Sequence, residues 1–264
     1  MSIDWNLLAA PFVAGLLVLL THVPLGIEVL RRGIIFLDLA VAQVAALGAV
    51  LAGLLGWESA WATQLAAGVA ALVAALMLTW TERCWPDIQE ALIGMLFVTA
   101  AALGILLLAN NPHGSEHLKD LLAGQILWVG WDRIGTLAVL SLSLLTVWLA
   151  FGKRLGRAGF YGLFAIAVTA SVQVVGVLLV FASLIAPALG CRFVQGGRRL
   201  PTSWLLGAAC YGLGLLISAA FDLPAGAAIV CTLATVSLLA LMLHGQFVRE
   251  SIDASTVHRG GDGG

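Results

Sequence analysis

Residues 34–56 read IIFLDLAVAQVAALGAVLAGLLG, from Ile34 to Gly56. As a helix this stretch is long enough to cross the hydrocarbon layer of a bilayer, which is roughly 30 Å thick. Nearly every residue is apolar or small, yet Asp38 and Gln43 sit inside it. An ionisable group at membrane depth is costly unless it faces a bundle interior, a partner or a water-filled path. The two polar residues are five positions apart, about 140° around a helix, so they do not share a face. Asp38 follows Arg31 by seven residues, so an ion pair with Arg31 or Arg32 stands as the structural alternative to a functional role. Gln43 lies deeper, where its amide either lines a path or bonds a neighbouring helix.

The remainder of the chain is of the same kind. Of 264 residues, 61% are hydrophobic and 10% charged, where soluble domains carry about a quarter charged. Such a chain cannot cover itself with polar surface, so the expected fold is an all-α polytopic membrane protein. Further spans are expected at about Leu7–Leu25, Ala60–Trp80, Ala91–Ala109, Ile134–Phe151, Ser203–Phe221 and Ala227–Leu243. The apolar run from Gly159 to Gly190, 32 residues, is too long for one ordinary span, and Gln173 and Gly176 suggest a break into two. The segment LLAGQILWVGW is apolar but too short to cross, and is expected to lie at the interface or re-enter. Residues 1–245 then form the membrane domain, and the polar tail 246–264 is expected to be disordered. The start, MSIDWN, lacks a positive n-region, so the first apolar run is expected to be retained.

Basic residues orient the bundle. With the Arg31/Arg32 loop cytoplasmic and the long run crossing twice, 11 of the 13 Lys and Arg residues fall inside, leaving Lys119 and Arg133 outside. A single crossing would move Arg192 to Arg199 outside, against the rule. The two-crossing reading gives about nine crossing segments, an external N-terminus and a cytoplasmic tail. The net charge of −1 and the lack of a basic block give no sign of nucleic acid.

Polar residues suited to chemistry are few. DLPAG places Asp222 at the outer end of a span, where Pro224 and Gly226 break and restart the helix. Free helix-end groups at such breaks meet ions in transporters, although an acid there also serves as a simple cap or turn residue. HGSEH supplies His113, Glu116 and His117, with Asp120 one turn on. Imidazole and carboxylate suit zinc and manganese, but Gly114 weakens the helix that would align them, and polar outer loops carry such residues for solubility alone. His22 and His244, near inner span ends, read as interfacial. The four cysteines show no C-x-x-C pairing, so neither a disulfide framework nor a thiolate metal site is indicated. The sequence has no G-x-x-x-x-G-K-[ST] phosphate loop, nucleophile elbow or H-E-x-x-H, so neither ATP hydrolysis nor hydrolase chemistry is expected of it.

Five ordered stretches resemble the membrane permease subunits of zinc/manganese-type ATP-binding-cassette importers: LRRGIIFLDLAVAQVAALG, EALIGMLFVTAAALGILL, DLLAGQILWV, VGVLLVFASLIAPALGCRF and FDLPAGAAIV. The resemblance runs from the first span to Leu243. It implies eight to nine transmembrane helices with a cytoplasmic coupling helix, in a permease homodimer of the bacterial cytoplasmic membrane. A cytoplasmic ATPase pair would dock at about Ala186 to Gly197, with Ala186, Pro187, Gly190, Arg192 and Phe193 as the coupling residues. An extracytoplasmic metal-binding protein would deliver the ion, and no cofactor would be held stably. Asp222 matches the family's pathway acid, with Gln43, Asp38, His113, Glu116 and His117 as further pathway or vestibule candidates. The chain departs from the family in the second span, which usually carries Asp and His four residues apart. Anchoring on Gly48 puts Leu39 and Gln43 there, with Asp38 one place early, so the usual imidazole is missing. The cytoplasmic stretch around Gly152 to Gly159 is also short. The cargo implied is zinc or manganese, zinc favoured by the outer histidines; the alternatives are another cation or metal chelate, or a non-transporting membrane scaffold.

Overall fold

Small residues at helix contacts and large apolar ones outside set the architecture. The computed structural model describes residues 5–57, 59–86, 89–108, 126–152, 154–194 and 196–260, and among them every regular element is helical. The helices are α1 (Trp5–Arg32), α2 (Leu37–Leu54), α3 (Ala60–Cys84), α4 (Gln89–Leu108), α5 (Trp131–Phe151), α6 (Arg157–Val175), α7 (Val177–Gly190), α8 (Arg199–Phe221) and α9 (Ala225–Gly260). Single 3₁₀ turns lie at Ile126–Trp128 and Gly196–Arg198. Among the described residues, seven helices are long and apolar enough to cross a membrane; shorter apolar stretches lie in α4 and α7. α9 continues beyond Leu243 into the polar tail, so the division at residue 245 is one of composition within a helix.

Side-chain contacts fix which ends lie together. Arg32, ending α1, stacks its guanidinium over the Phe160 ring at the start of α6, 4.1 Å to the centroid. Arg157 on α6 reaches Glu82 at the end of α3 across 3.4 Å. The Glu90 carboxylate of α4 accepts from the Phe36 amide before α2, at 3.3 Å. α8 runs antiparallel to α1, with Gly207 against Leu19 and the Tyr211 ring against Gly15, so its first residue lies beside the end of α1. There Arg199 donates to the Ala188 carbonyl near the end of α7, at 3.2 Å. The ends of α1, α3, α5 and α7 thus share one face with the starts of α2, α4, α6 and α8. We call this the arginine face, because Arg31, Arg32, Arg83, Arg154, Arg157, Arg192, Arg198 and Arg199 lie at these ends.

The 159–190 run therefore goes across and comes back. Its break is Gly176, at φ 83° and ψ 161°, a conformation that a side chain would strain. Gln173 is exposed, one turn before that break.

α1, α2, α6 and α7 supply much of the buried core, while α3, α5, α8 and α9 carry outward-facing large residues such as Leu76, Val139 and Leu205. An apolar exterior is what lipid requires, and close backbone approach then substitutes for the hydrophobic effect between helices. A Cβ on Gly26 of α1 would run into the Leu184 carbonyl of α7, and one on Gly48 of α2 would lie 2.6 Å from the Ala70 Cβ of α3. Polar links pin the same contacts. Ser183 Oγ donates to the Leu179 carbonyl at 2.5 Å, so the Tyr211 hydroxyl, 2.7 Å away, donates to Ser183. Trp204 Nε1 donates to the Leu19 carbonyl at 3.0 Å.

Candidate functional site

α2 starts at the arginine face because Gly33, at φ 72°, turns the chain back after Arg32. Asp38 falls in the first turn of α2, 1% exposed. Neither of its carboxylate oxygens has a hydrogen-bond partner among the described residues; the polar groups bearing on it are the backbone amides of Asp38 and Leu39. An acid at a helix N-terminus is favoured by the dipole, but that effect is small beside the cost of burying an unpaired charge. The alternative of an ion pair with Arg31 or Arg32 does not hold. Glu28, three and four residues earlier on α1, takes both: Arg31 Nη2 is 2.6 Å and Arg32 Nε 2.7 Å from its Oε1. Helical geometry makes Glu28 the nearer partner, and this i,i+3/i,i+4 spacing was readable in IEVLRR.

Gln43 is 9% exposed and five residues further along α2, without a side-chain hydrogen bond among the described residues. α3, α4 and α6 pack around this helix. Leu39, where the resembled family carries an acid, is half-buried.

Asp222 sits at the opposite face. It caps α8 in the left-handed conformation, φ 52° and ψ 43°, the one non-glycine residue with positive φ among the described residues. The turn is tied on both sides: the Leu223 amide donates to the Ser218 carbonyl at 3.0 Å, and Ser218 Oγ donates to the Leu223 carbonyl at 2.7 Å. Pro224 follows, and α9 begins at Ala225. The Asp222 side chain is exposed between Phe221 and Leu223, themselves exposed. Beside this turn lies a largely apolar cavity of about 450 Å³, lined by Trp128, Leu178, Leu223, Pro224 and Val230 among others. The turn, the 3₁₀ segment Ile126–Trp128 and the start of α7 thus meet at one face. His113, Glu116 and His117, with Asp120, lie outside the described residues.

Asp38 and Asp222 are at opposite ends of the bundle and cannot form one chelate. No group of three or more His, Cys, Asp and Glu side chains converges among the described residues. What the arrangement offers is a series of separated polar stations: Asp222 at one face, Gln43 in the interior and Asp38 near the other. His22 is not interfacial. It is fully buried, and its Nδ1 lies 2.9 Å from the Val18 carbonyl, to which it donates. The reason is that α1 continues through Pro24 to Arg32, well past the expected end at Leu25.

At the arginine face, Pro187 and Gly190 of α7 are buried and Ala186 is half-buried. A Cβ on Gly190 would lie 3.1 Å from Ser237, so this segment packs on α9. Arg192 and Phe193 are exposed in the turn that follows, and the chain then passes through the 3₁₀ turn into α8. A buried network that the sequence did not suggest joins α3, α4 and α6: Gln89 Nε2 donates to the Leu78 carbonyl at 3.1 Å and toward the Tyr161 hydroxyl at 3.4 Å.

A family model described as the ABC 3 transport family matches residues 4–162 and 153–244. The chain is 25% identical over 189 residues to a Chlamydia trachomatis protein named "Probable metal transport system membrane protein", covering 64% of this chain and 63% of that one. It is 27% identical over 176 residues to the manganese transport system membrane protein MntC of Halalkalibacterium halodurans, covering 58% of this chain and 59% of that one. It thus spans less than two thirds of the length of these curated relatives. The solved structure of PsaBC from Streptococcus pneumoniae in complex with Fab shares the fold, with a TM-score of 0.73 at 22% identity, covering 90% of this chain and 91% of that one.

Proposed function

The chain belongs to the ABC 3 transport family, and on that premise we propose that it is the permease of an ATP-driven importer of a divalent metal ion. The observation that carries this reading is Asp222: an exposed carboxylate on a backbone-locked turn between two membrane helices, at the face opposite the arginines. A fixed anion at a helix break attracts a cation without holding it in a closed cage, which suits passage better than storage. From there the ion meets Gln43 and then Asp38, whose unpaired oxygens are short of a positive partner. The arginine face is cytoplasmic in this reading, by the excess of basic residues there, with the N-terminus outside and the tail inside. The membrane is the bacterial cytoplasmic membrane.

The protein acts as a homodimer enclosing a shared path, and energy comes from a cytoplasmic ATPase subunit docking on the exposed Arg192 and Phe193. An extracytoplasmic binding protein delivers the ion to the outer segment carrying His113, Glu116 and His117. Zinc is the favoured cargo by those imidazoles, and the manganese relative supports a divalent ion of this class. A second reading, a different cation or a metal chelate, draws on Leu39 and Gln43, which are weaker ligands than an acid and an imidazole.

The test is transport by the complete assembly in proteoliposomes, with zinc, manganese, iron(II) and a chelate offered in competition. ATP-dependent accumulation of one of the ions is expected. ATP consumption with no movement of metal or chelate would leave the chain a membrane scaffold.

A further inference from the structure

A separate cavity opens at the arginine face. It measures about 830 Å³ and is lined by Glu28, Arg31 and Arg32 of α1, Trp148 and Leu149 of α5, and Arg154 just beyond α5. Three guanidinium groups and one carboxylate leave a net charge of +2 around it. Glu28 holds Arg31 through two contacts, 2.8 Å to Nε and 2.6 Å to Nη2, and Arg32 through Nε at 2.7 Å. The two forks on α1 are therefore oriented before any ligand arrives, with donors left over on each. Arg154 has no ion pair among the described residues and completes the rim. The Arg32 guanidinium is further fixed against Phe160. Clustered, pre-aimed arginine forks suit a phosphate oxyanion.

A free phosphate ion and a phospholipid headgroup present the same oxygens. The walls decide between them. Leu149, near the end of α5, is exposed and apolar, and Leu142 and Val139, about two and three turns further back on that side, continue the outward surface along the helix. A ligand at this rim therefore has lipid-facing helix directly beneath it, with Trp148 between the polar and apolar parts. We propose that this cavity binds the phosphodiester headgroup of an anionic phospholipid, with its acyl chains lying along α5. The site is independent of the metal path and of the cargo.

The experiment uses the full-length chain purified in detergent, given equal phosphatidylglycerol and phosphatidylcholine and read by native mass spectrometry. Phosphatidylglycerol should be retained preferentially. Arg31→Gln and Arg154→Gln should each weaken that preference about fivefold, and the pair about 25-fold. Arg83→Gln, at the same face but away from the cavity, should leave it unchanged. Photoactivatable phosphatidylglycerol on the wild-type chain should label residues 28–32 and 148–155, a readout that needs no variant. Equal retention of both lipids, unchanged preference in the double variant, or label spread evenly over the lipid-facing surface overturns the proposal. So does displacement of the lipid by inorganic phosphate, which would make the free ion the ligand. Loss of ATPase association in the double variant with lipid retention intact would assign the cavity to protein docking and equally overturn it.

Discussion

Asp222 and Asp38 are both acids at helix ends, but their surroundings ask different things of them. Asp222 occupies a left-handed cap that glycine fills most easily. Asp222→Gly should therefore leave the fold as stable as wild type or slightly more so, whereas Asp222→Ala should cost about 1 kcal/mol. Both should lose metal uptake. Thermal unfolding in detergent alongside uptake separates the two effects, and uptake that survives Asp222→Gly would remove the carboxylate from the path. Asp38 is the opposite case, buried with both oxygens unpartnered. A carboxyl buried without a counter-charge is held neutral, so Asp38→Asn should change the unfolding free energy by less than about 1 kcal/mol while uptake falls. Lower stability in that variant would reveal a cation already paired with Asp38 in the membrane.

Helix contacts in this bundle depend on missing side chains. At Gly26 the α1 backbone meets the carbonyl of Leu184 on α7, and no rotamer change relieves a clash with backbone. Gly26→Ala should force α1 and α7 apart and cost about 1–3 kcal/mol. Gly68→Ala on α3, where nothing lies within 4 Å, should be neutral or mildly stabilising through helix propensity. Unfolding midpoints of the two variants, compared side by side, check the assignment; equal effects would contradict it. Gly176 was legible as a break because it interrupts a run too long for one span. The length of α1 was not legible, because Pro24 reads as a terminator in water, whereas in a membrane bundle neighbouring helices compensate for the lost backbone bond.

Taken together, the helix ends sort into two faces, and eight arginines gather on one of them, with Arg133 on the other. If that face receives an ATPase subunit, Arg192→Glu should reduce its co-purification and uncouple ATP hydrolysis from transport. Arg133→Glu, at the start of α5 on the other face, should do neither. The chemistry of transport belongs to this level, because the acid at Asp222 and the amide at Gln43 act on one ion only if the helices carrying them border a common route.

Composition and hydropathy settled the all-helical membrane class, because a chain with 10% charged residues has no soluble alternative. The break at Gly176 was readable as well, since it is a local property of one over-long apolar run. The partners of the polar groups could not be read the same way. That Glu28, and not Asp38, holds Arg31 and Arg32, that His22 is buried, and that Asp38 and Asp222 lie at opposite faces all depend on which helices touch. In lipid that choice is made by backbone fit at residues such as Gly26 and Gly48, whose neighbours lie far away along the chain.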